Sequence, residues 1–367
     1  MTIFFAGGGT AGHIYAGVAL ADHIRATHPE FEIHFVGARG GMEERLVPKA
    51  GYPLHLVEIG SFNGAALSKR LRTILQIPWS FLRSAGWLLK YRPKIVLGVG
   101  GYASFPFVLA AGVMSWLWGG RVAILEQNVL PGLTNRILGL VSSRVFAAFP
   151  GSERAFGAEK VTITGNPVRG SIQRHPSAVR DPFTIFIFGG SQGAMGINTL
   201  VIDALEHLRE ASARHGLHLR WIHQTGEKDY ERVRAAHEKH ATGGRVEKFL
   251  YDMPECYAQA SLLICRAGSS TLSEIATVGR ASILIPLVSA DRHQEFNAGL
   301  FARSGASEML LQKQTSGEAL ASLILALAKD TARIEAMEQS VTQFARPDAV
   351  DRILSGLLSA QAGGSKA

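Results

Sequence analysis

Three short stretches of this 367-residue chain place glycines directly after an apolar run: Gly7-Gly8-Gly9-Thr10-Ala11-Gly12, Gly100-Gly101-Tyr102-Ala103-Ser104 and Gly189-Gly190-Ser191-Gln192-Gly193. A glycine loop between a strand and a helix lets backbone N–H groups approach a phosphate, with the positive end of the helix dipole behind them. Gly7, Gly9 and Gly12 also satisfy the G-x-G-x-x-G spacing of dinucleotide sites. Such a site calls for a carboxylate at the end of the second strand to hold the ribose hydroxyls. That strand ends Phe35-Val36-Gly37-Ala38-Arg39, without one. The dinucleotide reading therefore narrows to an NADP-dependent oxidoreductase in which Arg39 meets the 2′-phosphate. Three loops exceed the needs of one dinucleotide, and two phosphorylated ligands, one of them carrying a lipid, would use them better.

A second concentration of chemistry lies in Cys265-Arg266-Ala267-Gly268-Ser269-Ser270-Thr271-Leu272-Ser273-Glu274. Small hydroxyl residues at a helix start cap it and present N–H groups to a diphosphate. Glu274, about one turn further on, could accept two hydrogen bonds from the vicinal hydroxyls of a ribose. A capping box explains the Ser and Glu equally well at this one place. Beyond the next apolar run, Asp291, Gln294, Glu295 and Asn297 cluster where they could bond several sugar hydroxyls. The sequence contains no Asp-x-Asp. Helix dipoles, hydroxyls and a cation such as Arg169 would then stabilise a diphosphate leaving group without a metal. Neither a metal site nor a cofactor is expected.

These residues need elements to hold them. Short apolar runs suited to strands fall near 3–6, 33–36, 54–59, 95–99, 122–125, 145–149 and 161–164, then near 183–188, 219–224, 246–249, 262–265 and 282–286. Helical patterns such as 16–26 and 197–213 lie between them. Alternation of this kind predicts parallel sheets wrapped by helices. The strand–glycine loop–helix unit occurs twice, so an α/β chain of two Rossmann-like, doubly wound domains is expected, facing each other across a cleft. The first domain spans 1–165, and the second spans 166–346. A last helix in 347–360, after the break at Pro347, could return to the first.

Composition sets limits. Hydrophobic residues make up 47% and charged residues 19% of the chain, enough apolar material for two cores. Cys256 and Cys265, the only cysteines, lack metal-ligand or disulfide spacing. Residues 2–6 run straight into glycines, which predicts no secretory signal. The apolar run 105–120 is short of the about 20 residues a spanning helix needs. Of the net charge of +8, residues 1–165 carry most, with 16 Lys/Arg against 9 Asp/Glu. No acidic residue occurs between Glu58 and Glu126, whereas Lys69, Arg70, Arg72, Arg83, Lys90, Arg92, Lys94 and Arg121 do. Within 67–91, Leu71, Ile74, Leu75, Trp79, Leu82, Trp87 and Leu89 alternate with basic residues, interrupted by Pro78. That mixture suits an interfacial segment on an anionic membrane surface, or an amphipathic helix pair packed on a sheet. The basic balance also admits nucleic acid, but no recognised nucleic-acid motif accompanies it and none is expected as a partner.

Taken in order, Gly8-Gly9-Thr10-Ala11-Gly12-His13, Gly98-Val99-Gly100-Gly101-Tyr102, Glu126-Gln127-Asn128, Gly165-Asn166-Pro167-Val168-Arg169, Gly189-Gly190-Ser191-Gln192-Gly193-Ala194 and Arg266-Ala267-Gly268 with Thr271, Ser273 and Glu274 resemble the undecaprenyl-diphospho-muramoylpentapeptide N-acetylglucosaminyltransferases, the MurG enzymes of peptidoglycan synthesis. The likeness covers nearly the whole chain. It implies a GT-B fold and an inverting, metal-independent transfer from UDP-N-acetylglucosamine to a lipid-linked muramyl-pentapeptide (lipid I). It further implies a peripheral place on the cytoplasmic face of the bacterial inner membrane, with the cell-wall synthesis and division machinery as partners. Other lipid-directed GT-B transferases and sugar-nucleotide epimerases share the fold, but the glycine loop at Gly100-Gly101-Tyr102 and Glu126-Gln127-Asn128 argue against them. By the same resemblance, Thr10, Ala11 and Gly12 line the sugar side and Asn128 meets the N-acetylglucosamine. Arg169 and Ser191 serve the nucleotide and diphosphate, and the Leu250 backbone meets uracil. Ser269, Ser270, Thr271, Leu272, Ser273 and Glu274 hold diphosphate and ribose, Gln294 holds the donor sugar, and Gly9, Gly100, Gly101 and Tyr102 form the acceptor-side loops. Ala11 stands where a glycine is usual, and Leu125 where a histidine often precedes Glu-Gln-Asn. The acceptor hydroxyl needs a base. His13 at a helix start, where the dipole favours neutral imidazole, is the first candidate and Glu126 the second.

Overall fold

A computed structural model of the chain describes residues 1–60, 67–175, 180–190 and 192–359, with the backbone alone for 67–72. The chain divides into two compact units, Met1–Arg169 with Arg346–Ala367, and Gly170–Ala345.

In the first unit, strands β1 (Thr2–Gly7), β2 (Glu32–Ala38), β3 (Leu54–Val57), β4 (Ile95–Gly100), β5 (Arg121–Glu126), β6 (Arg144–Ala147) and β7 (Val161–Ile163) alternate with helices α1 (Ala11–Thr27), α2 (Glu43–Lys49), α3 (Leu67–Tyr91), α4 (Phe105–Met114), α5 (Leu133–Val141) and α6 (Glu153–Phe156). All pairings are parallel, in the order β3-β2-β1-β4-β5-β6-β7. The strands are buried on both faces, so they read as near-continuous apolar runs rather than alternating ones. One face packs Ile3, Phe5 and Leu97 against α1. The other packs Phe4, Val96 and Ile124 against α4.

Helix α3 is a single helix that runs through Pro78, where the sequence predicts an interruption. Proline removes one backbone donor and crowds the preceding turn. Here it lies on the exposed side of α3 while Thr73, Ser80, Ser84 and Leu88 are buried along the other.

In the second unit, β8 (Phe183–Phe188), β9 (Leu219–Gln224), β10 (Gly244–Glu247), β11 (Leu262–Cys265), β12 (Ser282–Leu284) and β13 (Ser307–Met309) alternate with α7 (Met195–Arg214), α8 (Tyr230–Lys239), α9 (Met253–Gln259), α10 (Ser269–Val278), α11 (His293–Arg303), α12 (Gly317–Lys329) and α13 (Thr331–Val341). The order β10-β9-β8-β11-β12-β13 repeats the topology of the first sheet. A last helix, α14 (Ala349–Leu358), buries Ile353, Leu354 and Leu357 in the core of the first unit.

In both sheets the strand order reverses direction at the first and fourth strands. Ligands of open parallel sheets bind beyond the carboxyl ends of the strands at such a switch point. The loops after β1 and β4 share that place in one unit, and those after β8 and β11 share it in the other.

Candidate functional site

At the switch point of the first unit the two glycine loops interlock. The Gly8 N–H donates to the Gly100 carbonyl at 3.2 Å. Thr10 caps α1, its Oγ1 accepting from the His13 N–H at 3.4 Å. The His13 ring lies over Gly100, where an added Cβ would come 2.9 Å from Nε2 and Cδ2. Its Nδ1 is 3.2 Å from the Gly8 carbonyl and 3.0 Å from Thr10 Oγ1. A carbonyl oxygen can only accept, so this contact favours the tautomer with the proton on Nδ1 and the lone pair on Nε2. Tyr102 closes over Gly9. Burial, with Glu43 nearby, raises the pKa of its hydroxyl. Gly9, Thr10, His13, Gly100, Gly101 and Tyr102 therefore form one cluster, with Ala11 and Gly12 in the first turn behind it.

Glu126 ends β5 and is buried. Its Oε1 accepts from the Asn128 N–H at 2.8 Å and the Asn128 side chain at 3.3 Å, and its Oε2 accepts from Asn135 at 2.9 Å. Burial pushes its pKa up to about 7, although these hydrogen bonds pull the other way. The second base candidate is thus committed to bracing the loop that presents Asn128. A general base must reach the proton it removes, and an enclosed carboxylate with both oxygens engaged is poorly placed to do so.

At the switch point of the second unit, the glycine loop after β8 and the start of α10 flank a cavity of ≈ 490 Å³, lined among others by Gly190, Gly193, Arg266, Gly268, Thr271 and Gln294. Gly268 stands at the N-cap of α10 with no side-chain cap and no acidic residue in the first turn. That leaves the positive end of the helix dipole toward an anion. Gly193 has φ +74, and a Cβ there would lie 2.0 Å from the Thr225 carbonyl, so only glycine fits. Gln224 joins two parts of the site, its Nε2 donating to the Gly190 carbonyl at 2.9 Å and its Oε1 accepting from the Leu250 N–H at 2.9 Å.

Several expected residues lie differently. Of the Leu250 backbone, expected to meet uracil, the N–H is held by Gln224, which leaves the Leu250 carbonyl for a base. Leu272 is fully buried and its N–H bonds Gly268 within the helix, while the Ser273 hydroxyl donates to the Ser269 carbonyl at 2.9 Å. Both make hydrogen bonds within α10, and the Leu272 side chain faces the core. Glu274 accepts from the buried Tyr257 hydroxyl at 2.8 Å, which fixes its carboxylate. Gln294 lines the cavity and accepts the Leu287 N–H at 2.9 Å. Ser269 and Ser270 open α10. Arg169 is exposed at the end of the first unit, and Ser191 lies outside the described residues. Arg39 faces Glu58 at 3.6 Å.

Arg266 was not singled out from the sequence. Its guanidinium donates to the carbonyls of Ile285 (2.9 Å) and Pro286 (3.1 Å) and to Gln312 Oε1 (2.8 Å), tying together the loops that bound the cavity. Its position inside the Arg-Ala-Gly motif was the available signal.

Two parallel, doubly wound units with glycine loops at both switch points give the GT-B architecture, which glycosyltransferases share with sugar-nucleotide epimerases. Residues 3–147 match the glycosyltransferase family 28 N-terminal domain and residues 184–353 its C-terminal domain. A crystal structure of Acinetobacter baumannii MurG superposes with a TM-score of 0.78 at 28% identity, covering 97% of this chain and 98% of that one. The UDP-N-acetylglucosamine–N-acetylmuramyl-(pentapeptide) pyrophosphoryl-undecaprenol N-acetylglucosamine transferase of Geobacter sp. (strain M21) is 39% identical over 364 residues, 98% of this chain and 96% of its own. The protein of that name from Myxococcus xanthus (strain DK1622) is 39% identical over 357 residues, 96% of this chain and 91% of its own. The chain belongs to this transferase family.

Proposed function

We propose that this enzyme transfers N-acetylglucosamine from UDP-N-acetylglucosamine to the C4 hydroxyl of N-acetylmuramic acid in undecaprenyl-diphospho-muramyl-pentapeptide, converting lipid I to lipid II. The observation that carries the reading is the start of α10, without a side-chain cap, beside the glycine loop after β8, within a family of transferases that share this donor. The acceptor oxygen forms a bond to the anomeric carbon from the face opposite UDP. The bond from that carbon to the β-phosphate oxygen breaks, and its electron pair leaves with UDP. The acceptor proton passes to His13 Nε2. Developing charge on the diphosphate is met by the α10 N-terminus and the Thr271 hydroxyl. Glu274 takes the ribose hydroxyls and Gln294 the donor sugar, while Asn128, held by Glu126, meets the N-acetyl group.

The first unit docks on the anionic cytoplasmic face of the inner membrane through α3. No helix among the described residues is long and apolar enough to cross a membrane. The exposed side of α3 nonetheless carries Leu75, Trp79 and Leu82, each more than half exposed. The side chains of Lys69, Arg70 and Arg72, which the sequence places at the head of this patch, lie outside the described residues.

The test is transfer of labelled N-acetylglucosamine from its UDP ester to lipid-linked muramyl-pentapeptide with EDTA present. Formation of the disaccharide at the EDTA-free rate is expected. Failure of transfer to that acceptor, with UDP bound normally, would overturn the assignment.

A further inference from the structure

Glu43 is the first residue of α2 and is completely buried. Its Oε1 accepts from the Ala38 N–H at 2.8 Å, at the end of β2, and its Oε2 from the Gly9 N–H at 3.2 Å, in the first glycine loop. Three glycines make the space: a Cβ would fall 2.2 Å from this side chain at Gly8, 2.3 Å at Gly37 and 2.5 Å at Gly41. Burying a carboxylate is costly, and an apolar side chain in its place would leave both of these N–H groups without an acceptor. The side chain therefore does more than fill space: it ties the end of β2 to the first glycine loop.

The peptide unit between Gly8 and Gly9 suggests one. In a trans peptide the N–H and C=O point in opposite directions on a rigid plane. Glu43 holds the Gly9 N–H on one side of this plane. The Gly8 carbonyl on the other side is the group that faces His13 Nδ1 at 3.2 Å. A carboxylate pulling on the N–H also polarises the carbonyl, strengthening it as an acceptor. We propose that Glu43 is a positioning residue for the transfer reaction, acting through the Gly8–Gly9 peptide to orient the His13 ring with its proton on Nδ1 and its lone pair on Nε2. The Gly9 N–H, which the glycine spacing offers to a phosphate, is occupied by the Glu43 carboxylate, so this peptide serves the imidazole rather than a phosphate. The inference rests on His13 as the base, but its structural half can be read without catalysis.

The test uses the full chain with 15N-labelled histidine. The His13 ring nitrogens are assigned by their loss in His13→Gln. Wild type should show Nδ1 protonated and Nε2 unprotonated. In Glu43→Gln, nearly isosteric but uncharged and able to accept only one of the two N–H groups, the ring should populate both tautomers. Its kcat should fall by about tenfold or more, as misplacement of a reacting group does, with the KM for UDP-N-acetylglucosamine within about twofold. Glu43→Asp, which keeps the charge and loses reach, should fall between the two, and it decides the matter if the Gln variant does not fold. A His13 ring protonated on Nε2 in the wild type overturns the proposal, as does an unchanged tautomer in both variants. If the tautomer shifts but His13→Ala keeps full turnover, positioning by Glu43 stands and the base assignment falls.

Discussion

His13 sits at an uncommon convergence for one side chain: Thr10 Oγ1 and the Gly8 carbonyl share its Nδ1, and Gly100 leaves room for its Nε2 edge. With His13 as the proposed base, replacing it with alanine removes the lone pair that takes the acceptor proton, so kcat should drop by about two orders of magnitude or more, as for a lost general base. With UDP assigned to the other unit as proposed, its affinity should not change. Rapid-quench turnover near the wild-type rate would show that another group takes the proton. Glu126 gives a second residue-level expectation. Its carboxyl, ordinarily near 4.5, titrates at about 7 in the fold because burial disfavours the charge. Below pH 4.5 both folded and unfolded chains hold the proton. Between 4.5 and 7 only the folded chain does, so stability falls as pH rises through that window, by about 3 kcal/mol in total. Glu126→Gln is neutral throughout and should gain on the wild type across the same interval in urea unfolding. A constant difference from pH 4 to 8 would refute the raised pKa. Of the site, the glycine loops and His13 were legible because glycines cluster directly after apolar runs and their spacing is set by short contacts. Glu43 was not, since a glutamate at the start of a short helix looks in sequence like any solvated first turn.

At the scale of elements, most strands were legible because burial on both faces makes them continuous apolar runs. Strand β13 was missed: Ser307-Glu308-Met309 is three residues long, lies at a sheet edge and pairs only with β12. Helix α3 was misjudged at Pro78, because sequence gives the proline but not the face it occupies. The face matters for function as well. Thr73, Ser80, Ser84 and Leu88 are buried, while Leu75 (78% exposed), Trp79 (64%) and Leu82 (63%) rise on the opposite side at helical spacing, with Trp116 (77%) exposed beyond α4. Exposed tryptophans and leucines beside Arg83 and Lys90 fit the boundary of an anionic bilayer better than water. Changing Trp79 and Leu82 to serine should weaken partitioning onto phosphatidylglycerol vesicles by about ten- to a hundredfold per side chain, from a loss of roughly 1.5–3 kcal/mol each. UDP affinity should be unaffected. Equal vesicle binding by the variant and the wild type, at low salt, would remove α3 from the membrane contact.

For the molecule as a whole, the order of elements along the chain has a consequence for assembly. The first unit is discontinuous, its core completed by α14 after the entire second unit has been made. Ile353, Leu354 and Leu357 pack with Ile3, Phe5 and Phe146, and the Arg121 guanidinium takes the carbonyls of Leu357, Leu358 and Ser359 at 3.0, 2.9 and 2.8 Å. Arg144 takes that of Gly356 at 3.2 Å. Three buried side chains at about 1.5–3 kcal/mol each come to roughly 5–9 kcal/mol, comparable with the whole stability of a domain, about 5–15 kcal/mol. The second unit needs nothing from this helix for its own core, which is built from Ile185, Ile264, Leu320 and their neighbours. A chain stopped after Ala345 should therefore lose the cooperative unfolding of the first unit and all transfer activity, yet still bind UDP through the second. Calorimetry with and without UDP distinguishes the units, because ligand raises only the transition of the unit that binds it. If the shortened chain keeps both transitions, the last helix is an ornament of the first unit rather than part of its core. If it loses UDP binding too, the second unit depends on the first, and the two cores are not energetically independent.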